Sequence, residues 1–154
     1  MLIKPDFWTT HVGSVPHLDV DELCERLVST LDVPAWPQFV RRSFRENMYV
    51  QYSEGLPRVV VDDLNEKIII DTSGDITPDL ESFYERYLAE DIDSFALTPE
   101  YAKGFFAMLS AAKNVPGEWI KGQVTGPISV GLTVTDQNLR ASLCNDLMAD
   151  VLVK

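Results

Sequence analysis

Positive charge, cysteine, histidine and long apolar runs are all scarce in this chain, and each scarcity closes off a class of function. The 13 Lys and Arg stand against 24 Asp and Glu, a formal net charge of -11. A net charge of that sign argues against a polyanionic partner, because nucleic acid and anionic membranes select basic patches, so neither is expected. Only two cysteines occur, Cys24 and Cys144. They lie far apart, each on a predicted helix, with no CxxC or Cys/His spacing, and are expected as buried free thiols rather than a disulfide or a metal site. The histidines, His11 and His17, also lack a Cys or His neighbour at ligand spacing, so no zinc is expected on them. No apolar run is long enough to cross a bilayer, and Met1–Asp6 carries one lysine, one proline and no apolar stretch, unlike a signal peptide. The expectation is a cytosolic protein.

What remains is enough for a core. With 154 residues and 45% apolar content, the chain is expected to form one domain, 1–154. Its organising stretch is Trp119–Ser129, WIKGQVTGPIS. Trp119, Ile120, Gln123, Val124 and Thr125 suit a short buried strand, and Gly126-Pro127 ends it with a pair that breaks helix and sheet alike. Ligands of α/β folds sit beyond the carboxyl ends of strands, which makes Gln123, Thr125 and Gly126 candidate site residues. The alternative is a plain strand exit whose Gly and Pro only turn the chain.

Upstream, Phe7–Ser14 combines aromatic and β-branched residues with Gly13, predicting a first strand that runs into a tight turn closed by Pro16. Asp19 offers an N-cap oxygen and Glu22 completes a capping box, for a helix burying Val20, Leu23, Leu27, Val28 and Leu31. Val33–Val40 is apolar but twice broken by proline, at best a short irregular strand. Phe44–Tyr52 has helical spacing, stopped by Gly55-Leu56-Pro57. Val59–Val61 and Ile68–Ile70 flank a polar segment, the pattern of an inserted hairpin with a longer loop. Thr77 before Pro78 and Thr98 before Pro99 each place a hydroxyl N-cap ahead of proline. The two helices so started are expected to bury Leu80, Phe83, Tyr84, Tyr87 and Leu88, then Tyr101, Phe105, Phe106, Leu109 and Ala112, their aromatics as core. Asn114–Gly117 is expected as a loop. Asp136 is expected to cap a last helix with Leu139, Leu143, Leu147 and Val151 on one face. That helix meets no stop before Lys154, so a longer protein, or completion by another chain, is expected.

Arg41, Arg42 and Arg45 form the one local basic cluster. Their guanidinium groups could clamp an anionic ligand, or they could pair with the protein's own surplus carboxylates. Spacing leaves both open.

Several stretches together resemble one superfamily, comprising the cobalamin-independent methionine synthases, uroporphyrinogen decarboxylase and the methylcobamide:coenzyme M methyltransferases. Lys121-Gly122-Gln123-Val124-Thr125-Gly126-Pro127 resembles the KGxxTGP strand of the methionine synthase catalytic barrel. Thr9-Thr10-His11-Val12-Gly13-Ser14-Val15-Pro16 is similar to that family's TTxIGSFP motif, in which the residues equivalent to Val12, Gly13 and Ser14 hold the amino-acid substrate's carboxylate. Arg45–Tyr52 with Glu54 is similar to its ERxDMVxYFxE run, Asn47 and Met48 standing at the Asp and Met positions. Pro34-Ala35-Trp36 and the arginines after it resemble instead the decarboxylase's PVWxMRQAGR stretch, which binds porphyrin carboxylates, with Gln38 in the place of its glutamine.

The resemblance implies an α/β fold, the N-terminal portion of a partial (β/α)8 TIM barrel with the hairpin and extra helices inserted, since a full barrel takes about 250 residues. It implies a methyltransferase moving a methyl group to a thiol, with zinc in the full-length protein lowering the thiol pKa. The family's zinc ligands belong to the second half of the barrel, so this part would hold substrate and be inactive alone. Gly13 would let a backbone turn approach a carboxylate, Ser14 would donate to it, and His11 would add a hydrogen bond or a charge. Alternatively His11 orders its own loop, and His17 is a surface residue. The candidate site is therefore His11, Val12, Gly13, Ser14, Gln38, Arg41, Arg42, Gln123, Thr125 and Gly126 around a small carboxylate-bearing ligand. Two other functions stay open. One is a decarboxylase, with Arg41, Arg42 and Arg45 on substrate carboxylates and Asp62 or Asp63 stabilising a protonated pyrrole. The other is a non-catalytic binding or assembly module whose unpaired sheet edges invite self-association.

Overall fold

The computed structural model describes residues 7–114 and 119–153; the N-terminal six residues, most of the predicted Asn114–Gly117 loop and Lys154 lie outside them. Helix α1 spans Val20–Thr30, where the capping signal predicts it. Asp19 accepts the Glu22 N–H at 3.0 Å, and Val20, Leu23, Cys24 and Val28 are buried. Strands β1 (Val59–Asp62) and β2 (Lys67–Ile70) form the predicted antiparallel hairpin, in register from Val59 with Ile70 to Asp62 with Lys67. A third short strand, β3 (Thr135–Asp136), joins β2 in parallel. Helices α2 (Thr77–Leu88), α3 (Lys103–Ala111), α4 (Pro127–Thr133) and α5 (Asp146–Val153) complete a mixed α/β fold with a small three-stranded sheet in the order β1-β2-β3. Among the described residues no helix is long and apolar enough to cross a membrane.

The segments that carry Gly13, Gln38 and Gln123 are built differently. Three extended segments run parallel and touch through single bridges, Ser14 to Gln38 and Ala35 to Lys121. Backbone bonds from Gln38 N to Gly13 O (2.8 Å), Val15 N to Gln38 O (2.9 Å) and Lys121 N to Pro34 O (2.9 Å) hold them. The middle segment, the proline-broken one, is the most protected stretch of the chain, with Pro34 to Phe39 all buried. Trp36 and Phe39 join Val15, α1 and Met108 of α3 in one apolar core. A second core gathers Ile70, Leu80, Phe83, Val134, Met148 and Val151 around the hairpin, α2 and α5. Each large side chain so buried contributes about 1.5–3 kcal/mol.

Several expected elements take other forms. Phe7–Ser14 forms no strand and is bridged only at Ser14, and Trp119–Thr125 only at Lys121, with Trp119, Ile120 and Val124 exposed rather than buried. Phe44–Tyr52 is a short 3-10 turn, Phe44–Glu46, followed by turns. Asn47 competes with helix there, its side chain accepting the Tyr49 N–H at 3.0 Å. Thr77 lies inside α2, whose cap is Ile76 with no side-chain bond. Thr98 commits its hydroxyl to Glu54, and α3 starts only at Lys103. Tyr87, Leu88 and Leu109 are exposed, while Met108, absent from the expected face, is buried. Asp136 caps no helix. It sits in β3 and accepts from the Asn138 and Arg140 amides, leaving Asn145 to receive the Leu147 and Met148 N–H groups at the start of α5. Helix α4 has no counterpart among the expected elements, and Leu139 and Leu147 are exposed. Cys24 is buried as expected, Cys144 is exposed instead, and both are free.

Candidate functional site

Toward the carboxyl ends of the three parallel segments, amide side chains meet. The Gly13 N–H donates to Gln123 Oε1 (3.1 Å), Gln123 Nε2 to Gln38 Oε1 (3.3 Å), Gln38 Nε2 to Gln51 Oε1 (2.6 Å), and Gln51 Nε2 to the Tyr101 carbonyl (3.0 Å). An N–H only donates and a carbonyl only accepts, so the two backbone ends fix which way each glutamine between them faces. All the amides align, and aligned bonds polarise one another. Gln38 and Gln51 are fully buried, where an unmade bond would cost about 1–3 kcal/mol.

The neighbouring hydroxyls are committed to the same frame. Ser14 Oγ donates to Gln38 Oε1 (3.2 Å), Thr125 Oγ1 to the Met48 carbonyl (2.9 Å), and the Tyr52 hydroxyl to the Gln123 carbonyl. Gly13 is required here for close approach, because a Cβ on it would stand 1.3 Å from Gln123 Nε2. Beside this frame lies a cleft of about 260 Å³, lined by Gln38, Met48, Gln123, Thr125, Gly126 and Ser129, with Tyr49 and Val124 on its wall. Among the described residues no Asp, Glu, His, Lys or Arg lines it. It can therefore orient a small ligand by hydrogen bonds, without a charge of its own.

Of the residues singled out in the sequence, Gly13, Ser14, Gln38 and Gln123 come together in the amide chain, and Thr125 and Gly126 line the cleft beside them. Val12 is exposed. His11 is half-buried, and both ring nitrogens are enclosed without a hydrogen-bond partner among the described residues. Burial, and then the nearby Lys121 ammonium, holds its pKa below the ordinary value, so the ring is neutral near pH 7. Its carbonyl accepts from Lys121 Nζ at 2.7 Å, which ties the first segment to the third.

Arg41 and Arg42 stand elsewhere, in an open hollow of about 390 Å³ shared with Arg45, Asp63, Glu66 and Glu100. Arg45 Nη2 meets Asp63 at 2.7 Å and its Nε meets Glu100 at 3.3 Å, while Arg42 lies 3.6 Å from Glu46. Asp62 is spent on its own turn, accepting from Leu64 and Asn65.

Sequence reasoning missed Gln51, Tyr101 and Glu46. Glu46 is completely enclosed; its Oε2 accepts the Phe39 and Gly104 amides at 3.2 and 3.3 Å, and burial raises its pKa above the ordinary value of 4.5 against the pull of those bonds and of Arg42. The signal for Glu46 was its i,i+4 spacing from Arg42. For Gln51 there was none. Among the described residues no three His, Cys, Asp or Glu gather as a ligand set for zinc. Comparison with protein-family models, curated proteins and solved structures found no match to this chain.

Proposed function

We propose that this chain is the substrate-holding part of a methyltransferase of the cobalamin-independent methionine synthase type, which moves a methyl group to a thiol. In this proposal the three parallel segments and α1 are the opening of a (β/α)8 barrel, and the hairpin with its helices is an insertion. One observation carries it. The two stretches on which the resemblance rests lie 110 residues apart and touch, Gly13 N–H on Gln123 Oε1. Two unrelated matches would have no reason to share a hydrogen bond.

Within this reading exposed Ser14 turns its hydroxyl from Gln38 Oε1 to the carboxylate of an amino-acid substrate, and the cleft beside Gln123 and Thr125 takes the rest of it. These residues bind and orient, whereas thiol activation belongs to groups outside this set. No observation favours the decarboxylase, because Arg42 and Arg45 face the protein's own Glu46, Asp63 and Glu100. Exposed Ile120, Val124, Ile128 and Leu132, next to a segment bridged only at Lys121, support self-association. A single monomer mass by light scattering would refute that part.

The test is calorimetric titration with homocysteine, methionine and coproporphyrinogen, with Ser14→Ala as control. Saturable binding of the amino acids, weakened about tenfold by the substitution, is the expected result. Binding of the porphyrinogen alone would overturn the proposal.

A further inference from the structure

Among the described residues, the main chain of the third parallel segment, Trp119–Thr125, is hydrogen-bonded along one side only. The Lys121 N–H donates to the Pro34 carbonyl, the Lys121 carbonyl accepts the Trp36 N–H, and the Gln123 carbonyl accepts the Tyr52 hydroxyl. Successive residues of such a segment turn their backbone groups to opposite sides, so those of Ile120, Gly122 and Val124 point away from the middle segment. No bond reaches them from any described residue. Exposure alternates in step, with Ile120, Gly122 and Val124 exposed and Lys121, Gln123 and Thr125 half-buried.

A free edge with apolar flanks is a template for another strand. Ile128 and Leu132, one turn apart on α4, extend the exposed apolar face beyond the edge. From Trp119 to Thr135 the only charged residue is Lys121, and its ammonium donates to the His11 carbonyl. Two copies of net charge -11 repel each other over most of their surface, and this stretch lets them approach without opposing that charge.

The stretch is also its own complement. A two-fold contact sets residue i against j and j against i. About an axis at Gly122, antiparallel pairing sets Ile120 against Val124 and Lys121 against Gln123, and Gly122 meets its own copy with no side chain at the axis. The Gly122 pair and the two Ile120–Val124 pairs would each exchange two N–H···O bonds. Moving the axis to Lys121 opposes two like charges. Moving it to Gln123 sets Ile120 against Gly126 and Val124 against Gly122, so the apolar side chains lose each other.

We propose that this edge pairs with the same edge of a second copy of the chain, antiparallel and two-fold about Gly122. The inference rests on the self-association proposed above, to which it gives a partner and a register, and is independent of the amino-acid site.

Light scattering of the whole chain over rising concentration is expected to show the mass climb from one chain to two and stop there. Val124→Lys, at an exposed position, is expected to hold it at one chain with an unchanged urea midpoint. Cross-linking in a Cys144→Ser background, which removes the exposed native thiol, reads the register. Gly122→Cys has room, since its Cβ would stand 3.6 Å from Trp36 Nε1, and would bring two Cα atoms about 5.5 Å apart, inside the disulfide range of about 4.4–6.8 Å. Mild oxidation is expected to link it. Ile120→Cys alone, its two copies about 14 Å apart, is expected to form no disulfide, but to link when mixed with Val124→Cys. A mass of one chain at every concentration overturns the association and the register together. A dimer in which neither Gly122→Cys nor the mixed pair links overturns the register alone, and the second copy then sits on another face.

Discussion

Gly104→Ala is a small change that should act on the fold and the site together. Gly104 is the second residue of α3 and is buried against the middle parallel segment. A Cβ built on it would stand 1.9 Å from the Pro37 carbonyl oxygen, 2.9 Å from its carbon and 3.0 Å from Phe39 Cε2. The first of these is backbone in the best-protected stretch of the chain, so no side chain can swing aside. To restore even 3.0 Å, the helix and the segment must part by about 1.1 Å, the difference between 1.9 and 3.0.

Three effects arise from that parting. Overpacking of this kind costs about 1–3 kcal/mol. The Gly104 N–H to Glu46 bond, already 3.3 Å, is stretched beyond use, and a buried carboxylate losing one donor costs about 1–3 kcal/mol more. Alanine returns up to about 1 kcal/mol through its helix preference. The balance is a loss of about 3 kcal/mol, equivalent to a fall of about 6–12 °C in Tm for a chain of this size. Urea unfolding followed by tryptophan fluorescence, and thermal unfolding by circular dichroism, would measure it. A change below about 0.5 kcal/mol would refute the claim that α3 rests its backbone on Pro37. Because Tyr101 lies just before α3 and terminates the amide chain, the variant should also lose ligand binding in proportion to its displacement.

Other outcomes rest on single contacts. Burial raises the Glu46 pKa above 4.5, so the stability carried by the protonated acid is full below that pH and is lost as pH rises through the folded value; Glu46→Gln should therefore gain on wild type from pH 4 to pH 7 in urea midpoints, and a flat difference would contradict it. Exposed Cys144 should react with a thiol reagent in the native protein, whereas Cys24, its pKa pushed up to about 12 by burial and by Asp21 and Glu46, should react only on unfolding; native reaction of both at similar rates would place Cys24 wrongly. Gly13→Ala should expel the Gln123 carboxamide, at a cost of about 1–2 kcal/mol, and shift its side-chain amide signals in nitrogen-15 spectra; unchanged signals would mean that the contact is not made.

How much of this was legible depends on whether an element satisfies itself locally. Helix α1 did, because Asp19 caps it and its apolar face is complete within Val20–Thr30, and so did the hairpin, whose β-branched triplets pair with each other. The first and third parallel segments did not. Gly13 donates its amide to a glutamine side chain and Gln123 gives its carbonyl to Tyr52, groups drawn from far along the chain, so an apolar-strand pattern overstated their ladders. The Phe44–Tyr52 stretch failed as a helix for a related reason: Glu46 is turned inward to serve Phe39 and Gly104, a demand that its neighbours do not record. Helix α4 was hidden behind Gly126-Pro127, a pair that breaks the extended run before it but also suits the first turn of a helix.

The site divides along the same line. Gly13, Ser14, Gln38 and Gln123 could be named because they sit in stretches that resemble a family's motifs. Gln51 could not, since a glutamine among Val50, Tyr52 and Ser53 looks like a solvated residue until the Tyr101 carbonyl and Gln38 are brought to it. Its burial makes sense only as part of a chain with fixed backbone ends. A polar residue placed against its local preference and then completely satisfied marks where fold and function constrain each other. Gln51 is thus the residue whose replacement best separates the two roles. If the amide chain served stability alone, Gln51→Leu, which replaces an internal amide with an apolar side chain, would shift the unfolding midpoint and leave methionine binding untouched.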